Sequence, residues 1–212
     1  MSTETRVNFR SADQTPSSQS SPGTRLAKIL SELFAPLIQV LAQSALALRH
    51  ATAAAGLGWW LLASFFGSAL PMLFLIYGTR RGSWLDHHVP QREQRIIPML
   101  VILSCLLIGT GAFALSDAPN AIRALFLSLE IQLAALTAIT RWWKISVHTS
   151  VAASTVAVTA WACGPLVALA VAPMVPITMW TRTHLKAHTL PQATAGVLVG
   201  AFLGAVSLTH LM

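Results

Sequence analysis

Residues 98–140 read PMLVILSCLLIGTGAFALSDAPNAIRALFLSLEIQLAALTAIT. Two apolar runs, 98–116 and 121–140, flank the polar turn Ser116-Asp117-Ala118-Pro119-Asn120, and the only charged side chains inside them are Arg123 and Glu130. Each run has the length of an α-helix that crosses about 30 Å of hydrocarbon. Lipid offers no partner for backbone N–H and C=O groups, so such runs satisfy them internally as helices. The stretch predicts a membrane-embedded helical hairpin.

Working outward, the pattern repeats. Residues 52–78 form another long span, and 191–211 form the last, opening on Pro191, a good first helical residue. The apolar run 149–180 is broken at Gly164-Pro165, a pair that favours chain reversal, and reads as two short helices. Residues 26–48 are apolar but carry Lys28, Glu32 and Pro36, so they read either as a span or as an interfacial helix. Residues 1–24 are rich in Ser, Thr, Gln and Pro and predict a disordered tail, without the apolar core of a signal peptide. The expected fold is all-α: a polytopic transmembrane bundle of 6–7 membrane helices, with a tail over 1–24 and a single transmembrane domain over 25–212.

Composition agrees. Hydrophobic residues make up 54% of the chain and charged residues 10%, against about 25% charged in an average soluble domain. The net charge of +7 does not mark a nucleic-acid binder, because the basic residues form no stripe with interleaved aromatics. Cys105 and Cys163 both lie inside apolar runs and read as buried free thiols. The charge collects in three polar segments, 79–97, 141–148 and 181–190, separated from one another by two crossings each. All three therefore emerge on one side whichever way 26–48 is read; if 26–48 crosses, the N-terminal tail joins them and twelve of the fourteen Lys and Arg residues fall there, with Arg49 and Arg123 the exceptions. The positive-inside rule makes that side cytoplasmic.

Five of the seven histidines, His87, His88, His148, His184 and His188, fall in these segments, interleaved with Arg80, Arg81, Arg92, Arg95, Lys144, Arg182 and Lys186. Charged groups at membrane depth are costly and mark function. A basic pocket suits phosphate, whose oxygens match the planar fork of arginine. A metal site fits poorly, because the segments offer only Asp86 and Glu93 as carboxylates and the surplus of cations repels a metal ion. Acyl transfer is also weak: Ser146 and Ser150 flank His148, but no orienting carboxylate is nearby. Two histidines with several arginines do suit metal-independent phosphoryl transfer. One imidazole attacks phosphorus, and the other protonates the leaving oxygen and then activates water.

The spacing of these residues resembles the type-2 phosphatidic acid phosphatase superfamily. Thr181-Arg182, five residues, His188, three residues, Gln192 is similar to its third motif, which reads Ser-Arg, five residues, His, three residues, Asp. The wider string His188-Thr189…Gln192…Gly196 is similar to members that read His-Thr-x-x-Gln-x-x-x-Gly, as in the dolichyl diphosphatase branch. Ile145-Ser146-Val147-His148 keeps the serine and histidine of the second motif, Pro-Ser-Gly-His, and the run Trp143-Lys144-Ile145-Ser146-Val147-His148-Thr149 resembles the form found in actinobacterial members. The first motif, Lys, six residues, Arg-Pro, is the most altered: Arg95 fits the arginine, Ile96 replaces the proline and His88 stands at the lysine position.

The resemblance covers about residues 71–205. It implies a six-span phosphatase core and an integral protein of a bacterial cell membrane. The implied reaction is hydrolysis of a lipid phosphate or diphosphate through a phosphohistidine, with no metal and no cofactor. A polyprenyl (di)phosphate is the first choice of substrate and a phosphatidic acid-type lipid the next; the partners are that substrate and membrane lipids, with no nucleic acid. It further implies His188 as nucleophile, Gln192 as support for its other ring nitrogen, and His148 as acid and base. Arg182, Arg95, His88, Lys144, Ser146 and the backbone N–H of Val147 are implied at the phosphate. The lost lysine, proline and glycine motivate an alternative, a catalytically degenerate member that binds anionic lipid or acts as a membrane assembly partner.

Outside the motifs, His184 and His87 read as surface histidines, and Glu130 as a carboxylate with a partner inside the bundle, near Gln132 or Thr137. Gly196, Gly200 and Gly204 lie four apart and predict close packing of the last span.

Overall fold

The computed structural model describes residues 21–49, 52–82 and 92–211, without the side chains of 53, 54, 92–94 and 207–211. All regular structure among the described residues is helical: α1 Pro22–Leu33, α2 Pro36–Ala47, α3 Ala53–Ser64, a π-turn Phe65–Ala69, α4 Leu70–Arg80, α5 Arg92–Ala114, α6 Asn120–Thr140, α7 Val147–Cys163, α8 Pro165–Val171, α9 Met174–His184 and α10 Leu190–Leu211. Among the described residues, five stretches are long and apolar enough to cross a membrane: Pro22–Ala47, Ala55–Arg80, Arg95–Ala114, Asn120–Thr140 and Pro165–His184. Val147–Cys163 and Leu190–Val206 are apolar but shorter.

Several boundaries differ from the sequence expectation, each for a local reason. Helix α1 starts at Pro22, inside the segment expected as tail. Proline presets the helical φ at the first position, and the Ser21 hydroxyl accepts the Thr24 N–H at 3.3 Å. The rest of the expected tail lies outside the described residues. Pro36 divides the 26–48 run into α1 and α2, and the Phe34 carbonyl left at the break accepts from Gln39 Nε2 at 2.7 Å. Helix α5 begins at Arg92, six residues before Pro98, so the end of the expected polar loop is helical and Arg95 sits in the first turn of a span. Pro71, which lacks an N–H, follows a π-turn in which Leu70 N–H reaches Phe65 O. Gly164, at φ 87°, breaks α7 from α8, where the Gly-Pro pair predicts a break.

Helix α10 packs along α7, and α7 also receives α2; α5 pairs with α6, and α1 lies on α9. The α7–α10 seam is the tightest. A Cβ on Gly200 would collide with the Ser150 carbonyl oxygen, one on Gly196 would lie 2.5 Å from the Ser146 carbonyl oxygen, and one on Gly204 would lie 3.1 Å from Ser154 Cα. The predicted glycine face is therefore where two backbones meet. Thr149 Oγ1 ties the seam by donating to Ala193 O at 2.9 Å.

Elsewhere the core is mainly aliphatic and holds a small aromatic cluster. Phe126 sits between Gly67 and Gly109, and Phe113 packs edge-on against it with centroids 4.9 Å apart. Trp59 stacks edge-on against Phe113, and Trp60 Nε1 donates to Leu41 O at 3.1 Å, whereas Trp142 and Trp143 are exposed. Several polar side chains inside the bundle pair across helices, while Thr140 Oγ1 and Thr178 Oγ1 have no partner among the described residues. Thr155 Oγ1 accepts from Gln43 Nε2 at 2.8 Å and lies 2.9 Å from Gln39 Oε1, joining α2 to α7. Glu130 does have a partner in the bundle: Thr110 of α5 donates to it, while Gln132 donates to Ser150 Oγ at 2.7 Å and Thr137 bonds Leu133 O.

Candidate functional site

The site forms where α5, α7, α9 and α10 begin or end. Ser146 caps α7, its Oγ accepting the Thr149 N–H at 3.4 Å, and its own N–H donates to Gln192 O at 3.3 Å. The start of α7 is thereby fixed to the start of α10. Val147 and His148 form the first turn of α7, where backbone N–H groups have no intrahelical acceptor and the helix dipole favours an anion. His148 is buried, as is Arg95 on the facing helix, whose Nη1 lies 3.5 Å from Ile145 O.

Arg182 and His188 come together through a turn. Lys186 adopts φ 53°, and the N–H groups of Ala187 and His188 both donate to Arg182 O, at 3.0 and 3.1 Å. The five-residue spacing between the arginine and the histidine is the length of this turn. Arg182 is buried, and its Nη1 donates to Ser31 Oγ at 2.9 Å. His188 is 5% exposed, and neither ring nitrogen has a hydrogen-bond partner among the described residues. Its pKa is pushed down to about 3, first by burial and then by the positive charges of Arg95, Arg182 and Lys144. The ring is thus neutral at physiological pH, with a lone pair available, in the field of these cations. This environment unites expected site residues from all three polar segments.

Gln192 behaves differently from the role the motif implies. Its Oε1 accepts the Thr189 N–H at 3.1 Å. Thr189 immediately precedes α10 and Gln192 is the third residue inside it, the reach-back of a capping box. The side chain stays near enough to His188 to oppose weakly the fall in its pKa, without the geometry of a hydrogen bond. The signature Thr-x-x-Gln was readable in the sequence as a helix start, and its capping role competes with support of the imidazole.

His88, with His87 and Asp86, lies outside the described residues, as does the side chain of Arg92. Lys144 is partly buried in the loop before α7. Thr181 Oγ1 turns back to Thr178 O at 2.8 Å, and Ser150 is occupied by Gln132. His184 is exposed and packs on Trp180, with centroids 5.1 Å apart. No three His, Cys, Asp or Glu side chains converge among the described residues. Ser31 is the site residue that sequence reasoning missed: it lies outside the motif-bearing segment, and no spacing links it to Arg182.

A cavity of about 170 Å³ opens beside the site. Arg95, His148 and Glu32 line it where it meets the polar groups, and Met99, Leu133 and Val151 are among its apolar walls. Comparisons of the chain with protein-family models, with curated proteins and with solved structures found no match.

Proposed function

We propose that the protein is an integral-membrane, metal-independent phosphatase that hydrolyses a lipid phosphate or diphosphate through a phosphohistidine on His188. The observation that carries the reading is a buried imidazole with no hydrogen-bond partner at either ring nitrogen among the described residues, in the field of Arg95, Arg182 and Lys144. A phosphate ester between these cations meets its charge complement, and the guanidinium forks suit its equatorial oxygens. His188 attacks phosphorus as the phosphorus–oxygen ester bond breaks, and His148 gives its proton to the departing oxygen. His148 then takes a proton from water, whose oxygen displaces His188 and frees phosphate.

The cavity supports a lipid as the esterified group, because Arg95 belongs both to the cation set and to the cavity wall. Its volume of about 170 Å³ is near that of an apolar cavity that takes up benzene, about 150 Å³. That is room for the first few carbons of a chain, with the remainder in the bilayer. The first choice of substrate stays a polyprenyl (di)phosphate, with a phosphatidic acid-type lipid next. The excess of Lys and Arg on the site's side supports a cytoplasmic face.

Purified protein in EDTA is expected to release phosphate from a polyprenyl phosphate or diphosphate, and His188→Ala to reduce turnover by at least about 10³-fold. Unchanged turnover by His188→Ala rules the assignment out. A second reading, a non-catalytic member that binds anionic lipid, is favoured by one observation: Gln192 Oε1 is engaged by the Thr189 N–H. It predicts binding to vesicles of anionic lipid with no phosphate released from any lipid phosphate in the panel.

A further inference from the structure

Helix α1 lies outside the segment that carries the phosphatase-like motifs, yet it reaches into the site. Its two buried residues, Ala27 and Ser31, are one helical turn apart and face inward, while Leu26, Ile29 and Leu33 are exposed. The helix approaches α9 closely enough that a Cβ on Gly23 would lie 3.7 Å from His184 Nε2. Ser31 and Arg182 are each 4% exposed, and the guanidinium donates to the hydroxyl at 2.9 Å. The next residue, Glu32, lines the cavity with Arg95 and His148.

We infer that Ser31 is a positioning residue that holds the Arg182 guanidinium in the plane in which it takes phosphate oxygens. The inference rests on the reading of this site as phosphate-binding. An arginine side chain carries about 2 kcal/mol of rotamer entropy. One N–H pinned by a buried hydroxyl orients the planar fork before the ligand arrives, so less ordering accompanies binding. Helix α1 is then a working wall of the site.

The test uses the full-length protein and its Ser31→Ala and Ser31→Thr variants. It reads kcat and KM on a lipid phosphate that the wild type hydrolyses, and orthovanadate affinity by tryptophan fluorescence. Ser31→Ala is expected to raise KM and the vanadate Kd by roughly three- to tenfold with kcat nearly unchanged, and Ser31→Thr to restore both. In an Arg182→Ala background, Ser31→Ala should shift vanadate affinity no further. A merely structural role lowers the amount of active enzyme, so a fall in kcat at constant KM and constant vanadate Kd overturns the inference. So does a Ser31→Ala variant identical to the wild type. A wild type that neither turns over nor binds vanadate is a separate result, which overturns the phosphate reading and this inference with it.

Discussion

The α7–α10 seam and the α1–α5–α9 side of the site are built on opposite principles. At the seam, glycines bring two backbones together, and Gly196 and Gly200 leave no room for a methyl group. Across the site, long side chains do the work: Arg95 reaches Ile145 O, Arg182 reaches Ser31, and a cavity remains between the helices. The contrast assigns two jobs. The rigid seam fixes where α7 and α10 start, and hence where His148 and Gln192 stand. The looser side leaves charge and volume between the helices, which the proposed function uses for a ligand. Without strong hydrophobic attraction between helices in lipid, close packing is the main force available to the first region, whereas the second gains from electrostatics in a low dielectric.

The largest expected effect breaks the seam. Gly200→Leu must push α10 away from Ser150, and we expect loss of the folded protein in detergent; Gly204→Ala, at the wider end, should lower Tm by only a few degrees. Thermal unfolding of the two variants checks the gradient, and equal destabilisation contradicts it. Next, Arg182→Ala should lower kcat/KM by about 10²-fold while leaving Tm near that of the wild type, because it empties the site without touching the seam. Third, Leu133→Trp fills the cavity. KM for a lipid phosphate should rise about tenfold while a small soluble phosphate ester is handled as before. An equal effect on both substrates removes the cavity from the account.

The acid response is a smaller effect with a definite sign. His188 has a folded pKa of about 3, below its ordinary 6.5, so the unfolded chain binds a proton that the folded chain does not over that interval. Stability is therefore fully present above pH 6.5 and is lost as pH falls toward 3. His188→Gln should flatten this part of the Tm–pH curve. The smallest effect is Gln192→Ala, which removes a capping contact and should cost about 1 kcal/mol of stability. If it instead abolishes turnover while Tm holds, Gln192 acts on the imidazole after all.

The seam was legible because its code is local: glycines four apart on an apolar helix have one common use. The helical hairpin at 98–140 was legible from length and apolarity alone. Less legible was the start of α5, because proline usually marks a boundary and Pro98 here lies inside the helix. Gln192 satisfies two patterns at once, the spacing that resembles a phosphatase motif and a capping box, and the backbone N–H of Thr189 takes its side-chain oxygen. Glu130 was read as paired, but its partner Thr110 is 20 residues away on the neighbouring helix, a contact that depends on how the two helices are rotated. Ser31 and Arg182 are 151 residues apart, and only the packing of α1 on α9 relates them.

The central claim is that His188 carries the phosphoryl group, and His148→Ala offers the most direct view of it. A phosphate monoester leaving from a diphosphate needs little help from the His148 proton, so loss of His148 should slow attack by water more than formation of the phosphohistidine and leave the intermediate stranded. After incubation with a polyprenyl diphosphate in EDTA and an alkaline quench, mass spectrometry should find a phosphoryl group on His188. Turnover by the wild type with His188 unmodified in the variant, or with the phosphoryl group on another residue, contradicts the account.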